Sequence, residues 1–146
     1  MPAQIVWDGG PTGQGTDWLD PVNWAGDVLP GPNDDAVLGP ASAGQPTEIT
    51  LDGSAAVRSA TVTGVTLRLA NATLTGSLVN QGTVLALSGT SAIAGALTTT
   101  PGSTLQVGSN SSAGSDVFLT IPGDFTNRGA IELNRSWEGG DGDMVA

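Results

Sequence analysis

Apolar and polar residues alternate in short runs along most of this chain. Ile49-Thr50-Leu51, Ala60-Thr61-Val62, Leu67-Arg68-Leu69, Leu85-Ala86-Leu87, Leu105-Gln106-Val107 and Ile131-Glu132-Leu133 each follow the two-residue period of a half-buried strand. Gly, Asn, Asp or Ser residues punctuate the runs, as they do between short strands. No window sustains the spacing of a helix face among good helix formers, because Gly, Thr, Ser and Val interrupt every candidate. The pattern predicts an all-β chain.

Comparing the sequence with itself reveals a repeat. Residues 74–87, 93–107 and 121–133 all read apolar-x-Gly-x-apolar, then a polar turn closed by Gly, then another alternating strand. The first glycine falls at Gly76, Gly95 and Gly123, and the turn glycine at Gly82, Gly102 and Gly129. The first step is 19 residues; the second is 28 and carries the polar insertion 108–116. A degenerate copy, Thr61–Leu69, lies one step upstream. So short a unit cannot bury its apolar face alone, but coils stacked at about 4.8 Å per rung can. The expected fold is a parallel β-solenoid, with an antiparallel β-sandwich or jelly roll as the alternative. Roughly five rungs over residues 45–134 would make a rod of about 24 Å. Asn80 and Asn127, each two residues before Gly82 or Gly129, are expected at corners with left-handed backbone geometry. In Thr61-Val62-Thr63 and Thr73-Leu74-Thr75 the apolar residue is expected to point inward and the threonines outward.

Residues 1–45 lack the repeat. They hold three of the four tryptophans (Trp7, Trp18, Trp24), six of the eleven aspartates and six of the nine prolines. A solenoid exposes its interior at each end and needs an atypical terminal unit there. Residues 1–45 are therefore read as an N-terminal capping segment, with Trp7, Trp18 and Trp24 as the lid, and residues 46–146 as rungs.

The motifs Trp7-Asp8-Gly9-Gly10, Trp18-Leu19-Asp20-Pro21-Val22-Asn23-Trp24 and Leu29-Pro30-Gly31-Pro32-Asn33-Asp34-Asp35-Ala36-Val37-Leu38 resemble the opening of large bacterial exoproteins. The turns Val79-Asn80-Gln81-Gly82 and Thr126-Asn127-Arg128-Gly129 are similar to the rungs of autotransporter- and haemagglutinin-like passengers. The resemblance implies an exported, surface-associated, right-handed parallel β-helix. It implies no activity, since such scaffolds carry adhesins, surface-layer components and polysaccharide-active enzymes alike.

Composition narrows the chemistry. The absence of His, Cys and Lys removes Ser–His and Cys–His nucleophile pairs, imidazole and thiolate metal sites, disulfides and Schiff bases. A net charge of −10 argues against a nucleic-acid partner. No apolar run is long enough for a transmembrane helix, and Met1–Asp8 does not read as a signal peptide. An Asp-rich, Lys-free, Thr/Ser/Gly-heavy chain suits an extracellular or cell-surface location.

Calcium is the one cofactor the sequence suggests. Asp34 and Asp35, beside Asn33 and together with Asp20, offer hard oxygen ligands on loops. Competing with this is the ordinary work of Asp in such loops, capping turns by bonding local backbone. Gly139-Gly140-Asp141-Gly142-Asp143 resembles a calcium-binding nonapeptide, but Met144 replaces its acidic residue and the copy is single, so a plain turn is expected. Asp52 is followed by no acid until Asp116, so the repeats lack the clustered carboxylates of a polysaccharide-cleaving site.

The expectation is thus a non-enzymatic structural or adhesive module. The alternative is a carbohydrate-binding or polysaccharide-processing β-helix with surface glycans as partners. No second Trp/Pro-rich segment follows Leu133, which predicts completion of that end by further rungs or by another subunit stacking head-to-tail into filaments.

Overall fold

The computed structural model describes residues 3–108 and 117–133. Residues 109–116 of the polar insertion and the Gly139-Gly140-Asp141-Gly142-Asp143 segment lie outside this part.

The chain is all-β. Its strands are β1 (Gln4–Val6), β2 (Asp35–Leu38), β3 (Glu48–Ser88), β4 (Thr90–Ile93), β5 (Leu97–Thr99), β6 (Thr104–Val107), β7 (Phe118–Thr120), β8 (Phe125–Thr126) and β9 (Ala130–Leu133). One 3-10 turn, Pro21–Asn23, is the helical element among the described residues. Every pairing between these strands is parallel, and all nine belong to one sheet. Residues 1–45 supply β1 and β2, so this segment joins the ladder rather than standing apart from it: Gln4 faces Asp35, and Asp35 faces Ser59.

β3 runs unbroken for 41 residues but is not straight, since Gly53, Gly64, Asn71 and Gly76 within it take positive φ. It approaches itself closely, a Cβ on Gly76 falling on the Val57 carbonyl, and the Thr66 amide donates at 2.7 Å to the carbonyl of Thr47, the residue just before the strand. Its later stretches pair in turn with β4 (Thr73↔Ala92), β5 (Leu78↔Leu97) and β6 (Thr83↔Thr104). Then β7 pairs with β4, β8 with β5 (Leu97↔Phe125) and β9 with β6 (Thr104↔Ala130). Leu78 to Leu97 is the 19-residue step of the sequence repeat, and Leu97 to Phe125 is the 28-residue step.

Alternation decides which side chains form the core. Leu67, Leu69, Leu74, Leu78, Ile93 and Leu97 are fully buried, while Thr73 and Thr75 beside Leu74 are exposed. Val62 is buried between the half-exposed Thr61 and Thr63. Each such leucine contributes roughly 1.5–3 kcal/mol on leaving water.

The corners depart from expectation. Neither Asn80 nor Asn127, nor Gly82 or Gly129, takes positive φ; the non-glycine residues that do are Asp27 and Asn71, among the described residues. Gly82 and Gly129 are needed for closeness instead. A Cβ on Gly82 would collide with the Val65 carbonyl, and one on Gly129 with Ser103. The middle turn glycine is also out of register: the pairing places Ser103, not Gly102, between Gly82 and Gly129. Gly102, at φ +84°, bulges out of the column. The first-glycine column does stack, since a Cβ on Gly95 would strike the Gly76 carbonyl and one on Gly123 the Gly95 carbonyl.

This close approach is testable apart from backbone strain, because Gly95 and Gly31 both avoid positive φ. Gly95→Ala is expected to destabilise the fold by about 1–3 kcal/mol through overpacking. Gly31→Ala meets only the Asp34 carboxylate at an ordinary 3.4 Å and is expected to stay within about 0.5 kcal/mol of the parent. Urea unfolding midpoints measure both; equal effects would remove the close-approach explanation.

Candidate functional site

The two ends of the ladder are built differently. At the N-terminal end the Trp7 amide donates to the Val37 carbonyl of β2 at 2.8 Å. Strand alternation turns the Val6 carbonyl and the Asp8 amide to the other edge of β1. Both are satisfied there: Ala25 N–H donates to Val6 C=O at 2.9 Å, and Asp8 N–H donates to Asn23 C=O at 3.0 Å. Residues 23–25 therefore lie antiparallel along the outer edge of β1, through a Trp7↔Trp24 bridge. Nearby, Asp17 bridges Thr50 of β3 in parallel, with the Trp18 amide on the Thr50 carbonyl and the Thr50 amide on the Thr16 carbonyl.

The indoles meet inside this wrap. Trp24 packs edge-to-face against Trp7 and Trp18, with ring centroids 5.0 Å apart in each pair. Trp18 and Trp24 are buried, Trp7 packs partly buried against the core, and the Trp24 indole N–H donates to the Trp18 carbonyl at 2.8 Å.

The aspartates named from the sequence bond locally. Asp20 accepts the Val22 amide at 3.2 Å and caps the 3-10 turn. Asp34 accepts the Gly31 amide at 2.8 Å and the Ala3 amide at 3.3 Å. Asn33 is exposed in the turn before β2. Asp35, at the head of β2, takes a forked ion pair from Arg58 and the Ser59 hydroxyl at 2.6 Å. Among the described residues, no three His, Cys, Asp or Glu side chains converge on a point that could hold a metal.

Asn80 and Asn127 belong to a polar column with Thr99 between them, a member that sequence reasoning overlooked although the repeat aligns it. Asn80 is fully buried; its side chain accepts the Gly82 amide at 3.0 Å and donates to the Thr104 carbonyl at 2.8 Å. The Thr99 hydroxyl donates to Asn127 Oδ1 and accepts the amides of Arg128 and Gly129. Beside this corner, Thr47, Thr66, Gln81 and Thr83 line a shallow polar groove of about 400 Å³.

At the C-terminal end the core columns emerge into solvent. Phe125 sits over buried Leu97, and Ile131 over buried Leu105, yet each is 42% exposed; Leu133, over Val107, is 43% exposed. Phe118, opposite exposed Thr90 on the outer face, is 57% exposed.

Two predictions follow from the polar contacts. Asn80→Ala strands the Gly82 amide and the Thr104 carbonyl, and is expected to cost about 1–3 kcal/mol by chemical denaturation. The Arg58 hydrogen bond foremost, and the Ser59 bond after it, hold the Asp35 carboxyl below its ordinary value. A depressed folded-state value adds stability above the unfolded-state pKa, and this is lost as pH falls from about 4 through the folded value. Arg58→Gln is therefore expected to lower the melting temperature at neutral pH, with the gap to the parent closing at pH 2–3. A pH-independent gap would assign the effect to packing.

Compared with family models, with curated proteins and with solved structures, the chain matches none.

Proposed function

We propose that this chain is a non-enzymatic structural module of a bacterial surface protein: a right-handed parallel β-helix that adheres, coats or builds. The carrying observation is the parallel ladder whose register advances along the sequence, Thr73 to Ala92 to Thr120 on one face and Leu78 to Leu97 to Phe125 on another. The close approach of β3 to itself at Gly76 and Val57 and the stacked column Gly76, Gly95, Gly123 support a coil. Handedness and surface location rest on the resemblance to exoproteins. A structural role is supported by where the polar groups are used. Asp8, Asp17, Asp20 and Asp34 bond backbone amides, Asp35 pairs with Arg58, and Asn80 and Thr99 tie turns to strands. The open core at Phe125, Ile131 and Leu133 supports the proposal that this end is continued by further rungs or by self-association.

A second reading, a carbohydrate-binding or carbohydrate-processing β-helix, is favoured only by the corner groove with its hydroxyl and amide lining.

Two measurements test the proposal. The chain has no cysteine, so the pairs Thr73→Cys/Ala92→Cys and Thr83→Cys/Thr104→Cys are expected to form intrachain disulfides, as neighbouring rungs require. Failure of both pairs would reject the coil. Incubation with acidic and neutral polysaccharides is expected to release neither new reducing ends nor unsaturated uronides. Turnover would replace the structural reading with the enzymatic one.

A further inference from the structure

We infer that the fold-back of residues 8–25 is an autoinhibitory strap. It withholds the outer edge of β1 from a second copy of this chain, and buried Asn23 is the latch that holds it in place. The inference needs only the parallel ladder, so it stands or falls apart from the coiled reading above.

Asn23 joins the separate parts of the strap. Its carbonyl accepts the Asp8 and Gly9 amides at 3.0 and 3.1 Å, and its own amide donates to the Asp20 carbonyl at 3.1 Å. Its side-chain Nδ2 donates to the carbonyl of Asp17, the residue that bridges Thr50 of β3, at 3.0 Å. The end of β1, the 3-10 turn and the segment lying along β3 therefore all meet at one buried residue. The loop over residues 9–15 is shaped around its side chain. A Cβ on Gly15 would fall on the Asn23 side-chain amide, and one on Gly10 would come within 3.0 Å of Oδ1. Gly15 does not take positive φ, so it serves by closeness rather than by backbone freedom.

The strap covers a row of hydrogen-bonding groups. Val6 C=O and Asp8 N–H are taken by Ala25 and Asn23. The Val6 N–H faces the same way by strand alternation and has no partner among the described residues. Residues 23–25 lie antiparallel on this edge, which shows the direction of strand it accepts. A two-fold axis would lay β1 of a second copy on it in that same sense. Unpaired edges recruit such strands. Charge adds a second barrier: residues 1–45 carry six aspartates and no Arg or Lys, so two such ends repel until salt screens them.

Two measurements test the strap: hydrogen exchange at the Asp8 amide, and sedimentation velocity over a concentration series. The second is run at low salt and at about 1 M, where the Debye length is about 3 Å. Asn23→Ala is expected to speed Asp8 exchange by about tenfold or more and to add, at high salt, association that the parent lacks. Gly15→Ala is expected to do the same by crowding the latch. Val6→Pro removes the outward N–H; added to Asn23→Ala, it is expected to abolish the added association while exchange stays fast. Asn80→Ala, which destabilises the polar corner instead, is expected to match the parent in both measurements. Should Asn23→Ala fail to fold by circular dichroism, Asn23→Asp keeps the shape, loses only the donor to Asp17 and carries the test. Unchanged Asp8 exchange in the folded variants, or an Asn80→Ala that behaves as Asn23→Ala does, would overturn the latch. Fast exchange without added association, or association that survives Val6→Pro, would overturn the guarded edge.

Discussion

Each internal strand of a parallel stack hydrogen-bonds on both edges, so the first and last members keep a bare row of N–H and C=O groups and an uncovered slice of core. Much of what distinguishes one part of this chain from another answers that constraint. Residues 4–6 and 35–38 extend the ladder, and the chain then folds residues 23–25 back along its outermost edge. That fold-back needs irregular loops, whose amides have no ladder partner. Asp8, Asp17, Asp20 and Asp34 accept those amides, which gives the aspartate-rich composition of residues 1–45 a structural cause. The indoles do the complementary apolar work, since two buried tryptophans cover more core than aliphatic side chains of the same number.

Inside the stack the controlling quantity is register, because a slip of one residue would turn each leucine outward. Two devices fix it. At the Gly76, Gly95 and Gly123 corner, successive backbones approach so closely that a Cβ would strike a carbonyl, so only one alignment brings glycine onto glycine. At the Asn80, Thr99 and Asn127 corner, buried polar atoms find partners only when the turn amides and the Thr104 carbonyl are aligned. A buried amide left unmatched is costly, so this column penalises slippage where leucine-on-leucine packing would tolerate it.

How much of this was legible in the sequence depended on whether the physics repeats. The 19- and 28-residue steps appeared in self-comparison because the same corner recurs, and they return as Leu78↔Leu97 and Leu97↔Phe125. Upstream, the step from Asp35 to Ser59 joins segments with no shared motif, so the Asp35–Arg58 pair left no trace in spacing. Gly102 misled because a glycine can serve by positive φ or by lacking a Cβ, and the sequence does not say which. Asn80 misled in a related way: its side chain, rather than its tolerance of left-handed geometry, closes the turn. The tryptophan lid was visible as composition, but the edge it guards was not.

The distribution of charge carries the asymmetry of the two ends one step further. Residues 1–45 hold six aspartates and no Arg or Lys, whereas residues 117–146 hold five acids and two Arg. Two N-terminal ends brought together would each meet a concentrated negative field, attenuated only over a Debye length of about 8 Å at physiological salt. The large apolar side chains left exposed, among the described residues, lie within 6–29 and 118–133, so the flanks of the stack between them stay polar. Flanks that are polar and carry a net negative charge resist lateral association. At the sealed end the same field adds to the occupied outer edge of β1 in opposing pairing with another chain.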